Sequence, residues 1–253
     1  MIALSDFERL TDTEWRQHAE AANGIFIAEG LTTIERALDA GHVVRTVVTT
    51  SRWNTPLQKL GIDRNRIAVL DEPNLAALTG YHVHRGALAA FERPLEMDPD
   101  SLVATAQRML VLEDVLDHTN VGAIMRVAAA FVFDAVLLTP NCGDPLYRRA
   151  IKVSMGTVFR TRWARDPNPV GTLRKHGIRS YALTPDAEAI DIRRLVRRDD
   201  DSRFGLILGT EGDGLRLPTM QAADLRVRIP MAVGVDSLNV AAAAAVACYE
   251  LTR

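Results

Sequence analysis

Three stretches of this chain gather residue types that bind ligands and move protons. In the first, G-T-E-G-D-G at 209–214, glycines recur straight after an apolar run. Lacking a Cβ, glycine lets backbone come close to a ligand, and Glu211 would project from such a turn. The pattern is G-x-x-G-x-G, not the G-x-G-x-x-G of dinucleotide loops, and no G-x-x-x-x-G-K-[ST] occurs anywhere. In the second, 111–126, an apolar run enters a polar turn, with Asn120 and Arg126 six residues apart. They do not share one face of a straight helix, so they converge if Asn120 sits in the turn ahead of it. In the third, I-P-M at 229–231 is followed by Ser237, Leu238 and Asn239, and Ser237 or Asp236 suits the N-cap of a closing helix. Each also has a plain structural reading: a tight turn, a helix cap with a solvated arginine, and a second cap.

Other chemistries are poorly provided for. Cys142 and Cys248 lie far apart without metal-ligand spacing and read as buried, idle thiols. His82 and His84 are the closest pair among six histidines and have no third ligand nearby, so no metal site is expected. The net charge of -2 does not by itself suggest nucleic acid. Lysine is confined to Lys59, Lys152 and Lys175, so arginine carries nearly all the positive charge. Arginine is the better bidentate phosphate partner, although genomic base composition would produce the same bias. One basic patch is enough for a nearly neutral protein to hold RNA. No apolar run approaches the ~18 residues of a membrane span. The first fifteen residues lack a basic start followed by an apolar block, so a cytoplasmic location is expected.

The elements that must position these residues follow from periodicity. The first ~95 residues read as a small α/β unit. A helix at 31–40 is stopped by Gly41, strands lie at 43–50, 66–70 and 86–91, and a helix runs from an Asp71 cap to Gly80. The stretch 92–100 is charged, holds two prolines and lacks periodicity. A linker is therefore placed at 96–105, between domains 1–95 and 106–253. Beyond it, strands are expected at 108–113, 135–138, 157–163, 179–183, 204–208 and 225–229. Helices are expected at 121–131, 145–153, 170–176 and 237–251. Such alternation predicts a largely parallel sheet covered on both faces, with ligands at the carboxyl ends of its strands.

Taken together and in order, the motifs resemble those of the SpoU/TrmH family in the SPOUT superfamily. N-x-G-A-I-x-R-x-A is matched by 120–128 and L-x-x-G-x-E-G-x-G-L by 206–215. I-P-M with a downstream S-L-N-V-[AS] is matched by 229–231 and 237–241, and A-x-x-x-S-M-G by 150–156. F-I-A-E-G at 26–30, the strand at 43–50 and H-R-G-A-L-A at 84–89 look like the family's substrate-binding module, which resembles a small ribosomal-protein-type RNA-binding fold. Two positions depart from the pattern: His118 stands where a proline is usual, and Val132 where a glycine is common.

The resemblance implies an RNA ribose 2′-O-methyltransferase that uses S-adenosyl-L-methionine. It implies a C-terminal SPOUT domain with a deep trefoil knot, which the general avoidance of knots would not suggest. By match, Leu183, Thr184, Leu208, Gly209, Glu211, Gly212, Ile229, Met231, Ser237 and Leu238 bind the cofactor. Asn120, Arg126, Glu211, Ser237 and Asn239 are the expected catalytic set, with Arg126 steadying a developing alkoxide, since a guanidinium scarcely deprotonates. Arg148, Arg149, Lys152 and Ser154 are expected to contact RNA. Arg193, Arg194, Arg197 and Arg198 form a second cluster or a solvated helix face. The family works as homodimers, implying pairing through the C-terminal domain. Ribosomal RNA is the expected substrate, with transfer RNA as the alternative. A non-catalytic RNA-binding or ribosome-assembly factor on the same fold is a second reading. A nucleotide-dependent oxidoreductase is a third, weakened by the glycine spacing.

Overall fold

Short apolar strands alternate with helices along most of the chain, and they sort into two compact units. The computed structural model describes residues 3–8, 10–11, 20–84, 86–195 and 203–253. One unit comprises Met1–Leu95 with Leu146–Phe159, the other Glu96–Pro145 with Arg160–Arg253. The cluster at 193–198 is therefore described only as far as Arg194, and Arg197 and Arg198 lie outside the described residues.

The first unit runs β1 (Ile25–Glu29), α1 (Leu31–Asp39), β2 (Val44–Thr49), α2 (Ser51–Lys59), β3 (Ile67–Val69), α3 (Glu72–Thr79) and β4 (Ala87–Glu92). Among the described residues these strands form a four-stranded sheet in the order β1-β4-β2-β3. β4 is antiparallel to both neighbours, and β2 pairs with β3 in parallel. Ile25, Ile27, Val48, Leu88 and Phe7 build its core. α3 follows its sequence signals: the Asp71 carboxylate accepts the Asn74 N–H at 2.8 Å, and Gly80 closes the helix with φ of 79°. α2 was not expected, because it is polar and carries Pro56, a residue that removes a helix hydrogen bond.

The second unit opens with α4 (Pro99–Thr105), β5 (Arg108–Leu112), α5 (His118–Ala130) and β6 (Ala135–Leu138). The chain then lends α6 (Arg148–Val153) to the first unit. It returns as β7 (Arg162–Arg165), α7 (Pro169–Lys175), β8 (Arg179–Leu183), β9 (Ile190–Asp191), β10 (Phe204–Leu208), α8 (Leu217–Ala222), β11 (Leu225–Arg228) and α9 (Val240–Thr252). Its described strands form a seven-stranded sheet in the order β7-β6-β5-β10-β8-β11-β9, with every pairing parallel. β6 and β10 are buried at every position, as continuous apolar runs in a parallel sheet should be.

Three boundaries differ from expectation. Much of the stretch 96–105, read as a linker, is α4: Pro99 takes the first helical position, where its missing N–H costs nothing. Asp98 caps it through the Ser101 N–H at 2.8 Å, and Leu102 and Val103 are fully buried in the second unit's core. Residues 146–159 group with the first unit although they fall inside 106–253. The strand expected at 157–163 is instead a 3-10 turn, Thr157–Phe159, followed by β7.

α5 ends in a left-handed turn. The Phe131 N–H donates to Val127 O at 3.0 Å and the Phe133 N–H to Ala128 O at 2.9 Å, while Val132 between them has φ of 56°. This closure normally uses glycine, because a Cβ in that conformation meets its own backbone. Val132 is 72% exposed, so no packing offsets the strain.

Candidate active site

The carboxyl ends of the adjacent strands β10, β8 and β11 open onto a cleft of about 310 Å³ in the second unit. Leu183 and Leu208 are the last residues of β8 and β10, and Ile229 follows β11. This is where ligands collect on an open parallel sheet, since successive loops diverge there. All ten residues expected at the cofactor line the cleft: Leu183, Thr184, Leu208, Gly209, Glu211, Gly212, Ile229, Met231, Ser237 and Leu238. Pro185, Thr210, Gly214, Val240 and Ala243 line it too. Of these, Thr210 and Gly214 lay within the glycine motif. Val240 and Ala243 share one face of α9 at i,i+3 spacing, the periodicity that would have found them.

The glycine turn is tight because it folds back on itself. The Gly214 N–H donates to Thr210 O at 3.2 Å, and the two residues form an antiparallel bridge. A Cβ added at Gly209 would stand 2.3 Å from the Gly214 carbonyl carbon, so no side chain fits. Gly212 has φ of 89°, a backbone state that favours glycine.

One side chain joins the three motifs. Asn239 caps α9, its Oδ1 accepting from the Ala241 N–H at 3.0 Å and the Ala242 N–H at 3.3 Å. That orientation aims its Nδ2 at the other two motifs, where it donates to Asn120 Oδ1 at 3.1 Å and to Glu211 Oε1. Both hydrogens of the amide are then committed. Asn239 thus fastens helix α5, the glycine turn and helix α9 to one another, and is not a free donor to a substrate. The cap expected from Ser237 or Asp236 is corrected to Asn239, because Val240 begins the helix.

Asn120 is not in the turn ahead of α5 but inside its first turn, since the helix starts at His118 on an Asp117 cap to the Thr119 N–H. Six residues of helix turn Arg126 about 120° away from Asn120. Asn120 is accordingly buried, while Arg126 is exposed and makes no hydrogen bond or ion pair among the described residues. Arg126 is not among the residues lining the cleft, and Asn120 reaches the cleft through Asn239. A guanidinium left unpaired and solvated is available to an anion.

The residues expected to contact RNA belong to the first unit and differ among themselves. Arg149 and Lys152 are exposed. Arg148 is engaged within the unit, donating to Tyr81 Oη at 3.1 Å and Leu10 O at 3.2 Å, with its guanidinium 5.2 Å over the Tyr81 ring. Ser154 is corrected: it is fully buried, and its hydroxyl donates to Ile151 O at 2.9 Å. Arg193 is held by Asp191, whose carboxyl that guanidinium draws down to about 2. The two cysteines are buried as expected, and burial pushes the Cys248 thiol up to about 12.

Residues 107–249 match the family model described as SpoU rRNA Methylase family. An uncharacterized tRNA/rRNA methyltransferase of Mycobacterium tuberculosis is 38% identical, over 99% of this chain and 88% of that protein. The 23S rRNA (guanosine-2'-O-)-methyltransferase RlmB of Xanthomonas campestris is 31% identical, over 85% of this chain and 90% of its own. In fold, the chain is similar to the crystal structure of an AdoMet-bound rRNA methyltransferase from Sinorhizobium meliloti, with a TM-score of 0.82 over 98% of this chain and 93% of that one at 24% identity. With the motifs converging at Asn239 and the match covering more than half its length, the chain belongs to the SpoU rRNA methylase family.

Proposed function

We propose that this protein transfers a methyl group from S-adenosyl-L-methionine to a ribose 2′-hydroxyl of structured RNA, most directly ribosomal RNA. The observation that carries the reading is the meeting of three sequence-distant motifs at Asn239: two line the cleft, and the third, on α5, brings Asn120 and an unpaired arginine beside them. The cleft's chemistry suits the cofactor. Leu183, Leu208, Ile229 and Leu238 offer apolar contact to an adenosyl group, and the glycine turn brings backbone to the ligand without side chains between. When bound, the cofactor supplies an electrophilic methyl on a sulfonium. The chain's own task is to orient the hydroxyl and lower the cost of losing its proton. Arg126 takes the part of stabilising the developing alkoxide and gripping a neighbouring phosphate. Glu211, Ser237 and Asn239 form the polar wall, with Asn120 behind it holding Asn239.

The finer features of this reading have separate support. β10 lies between β5 and β8, and β11 between β8 and β9, an insertion of later strands between earlier ones that is compatible with a deep trefoil knot. The first unit's mixed sheet, with the exposed Arg149 and Lys152 that the 146–159 segment adds to residues 1–95, suits an RNA-binding module resembling a ribosomal-protein fold. Exposed Val233, Val235 and Leu238 beside the cleft, with Val246 and Tyr249 on α9, suit a homodimer formed through the C-terminal domain. An rRNA substrate accords with a cytoplasmic enzyme. Transfer RNA is the second reading, since the mycobacterial relative's name gives tRNA beside rRNA.

Replacing Arg126 by Ala tests the mechanism. Methyl transfer should fall by about 10²–10³ or more, the size of losing one transition-state donor, while calorimetry shows unchanged S-adenosylmethionine affinity. Retained activity would remove Arg126 from the mechanism. Mapping ribose methylations in RNA from a deletion strain against its parent then distinguishes ribosomal from transfer RNA.

A further inference from the structure

Glu113 belongs to none of the residues assigned so far, yet its side chain is only 5% exposed at the carboxyl end of β5. Its backbone N–H donates to Leu208 O at 2.8 Å, immediately before the glycine turn begins. Its carboxylate reaches the other end of the same turn. Oε1 accepts the Arg216 N–H at 2.7 Å, and Oε2 accepts the Thr219 hydroxyl. The Arg216 side chain doubles back, with Nε 3.8 Å from Glu113 Oε2 and Nη2 2.8 Å from Asp114 Oδ2. Asp114 is itself seated by the Thr139 hydroxyl at 3.0 Å and by Asn141 Nδ2 at 3.2 Å.

α8 has no side-chain cap of its own, since Arg216 occupies the cap position. Glu113 supplies the acceptor from a different strand. One residue therefore ties both ends of a loop that begins at Gly209 and ends at Arg216. Five residues of that loop line the cleft. The loop has one internal backbone bond, from the Gly214 N–H to Thr210 O, so its span depends on how its ends are held.

We propose that Glu113 is a positioning residue for the methyl-donor site, a clamp that sets the span of the glycine turn and so the place of Gly209, while Glu211 keeps its separate tie to Asn239. This rests on the reading of the cleft as the cofactor site. Glu113 touches neither cofactor nor substrate. It acts through the turn, so its loss should appear in donor binding and not in the chemical step. A buried carboxylate removed from two donors leaves the Arg216 amide without a partner, and the loop end is then free to move.

The test uses the full chain as Glu113→Gln, Glu113→Ala and Thr219→Ala. The Kd for S-adenosylmethionine should rise by about tenfold or more in Glu113→Ala, which loses both hydrogen bonds of the carboxylate, and by about threefold in Thr219→Ala, which loses one and leaves the Arg216 amide held. Glu113→Gln, which keeps an acceptor for the Arg216 amide, should fall between them. The rate at saturating donor and RNA should stay within about threefold of the parent, as removal of a contact made equally before and during reaction predicts. Folded variants with parental Kd, or losses confined to kcat, would overturn the assignment. If Glu113→Ala does not fold, the other two decide on the same criterion. Amide exchange of 209–216 in ligand-free protein gives an independent arm. Faster exchange there in Glu113→Gln than in the parent supports the clamp, and unchanged exchange rejects it. Should the parent protein not bind S-adenosylmethionine at all, the cofactor reading fails while the exchange arm still judges Glu113.

Discussion

Two of the loops that line the cleft are built in opposite ways. The glycine turn is closed by an internal bridge, admits no side chain at Gly209, and has both ends tied to Glu113. The loop at 231–239 has one backbone turn, Val235 N–H to Ala232 O at 3.2 Å, before Asn239 anchors it. Val233 is wholly exposed, and Val235 and Leu238 are 48% and 41% exposed. One wall is preorganised, whereas the other presents apolar surface with no protein cover among the described residues. Preorganisation lowers the ordering cost of binding, and exposed apolar surface gains most when something covers it. The rigid wall accordingly suits the close backbone contacts, and the open wall suits a ligand or a partner that arrives later.

That contrast can be broken at several points. The largest effect is expected from Gly209→Ala, which forces a Cβ against the Gly214 backbone. S-adenosylmethionine affinity should fall by about 10²-fold or more, by overpacking of the kind that costs about 1–3 kcal/mol and more against backbone. Parental affinity in calorimetry would show the turn to be pliable. Next comes Asn239→Ala, which removes a cap and leaves Asn120 and Glu211 without their shared donor. A loss of about 2 kcal/mol is expected, seen as a fall of roughly 4–8 °C in Tm, together with slower methyl transfer. A drop in Tm with full activity would reduce Asn239 to a structural cap.

Changes in the open wall should leave the fold alone. Val233→Asp should change stability by no more than about 0.5 kcal/mol, yet shift the protein toward monomer in sedimentation if a second copy covers that loop. An unchanged mass would assign the surface to another occupant. The smallest effect lies outside the cleft and serves as a control. Val132→Gly relieves a β-branched residue in the left-handed region and should stabilise the protein by about 1 kcal/mol, or roughly 2–4 °C, without changing donor affinity. Destabilisation in thermal unfolding would refute that reading of the turn.

Much of the site was legible in the amino-acid order, because each motif is a local device. Apolar runs of four or five residues become fully buried parallel strands, and glycines mark the turn that follows β10. The ligand-lining residues then fall where strands end, which needs no knowledge of their neighbours. α4 was harder: charge and two prolines suggested a linker, but Pro99 at the first helical position starts a helix whose Leu102 and Val103 fill a core. α2 was hidden by its polarity and Pro56. In α4, burial against distant residues outweighed local composition, whereas α2 buries only Leu57.

Local order along the chain determined the elements, the glycine turn and the identity of the three motifs, since propensity, capping and periodicity act over a few residues. Only the tertiary structure decided which partners those residues take. Asn239 meets Asn120 across 119 positions and Glu211 across 28, while Glu113 meets Arg216 across 103. It also decided that Arg126 faces solvent unpaired, that Ser154 is buried, and that residues 146–159 leave their neighbours for the other unit. Such pairings depend on the strand order of a sheet in which β10 enters between β5 and β8, and no periodicity within a single segment encodes that order.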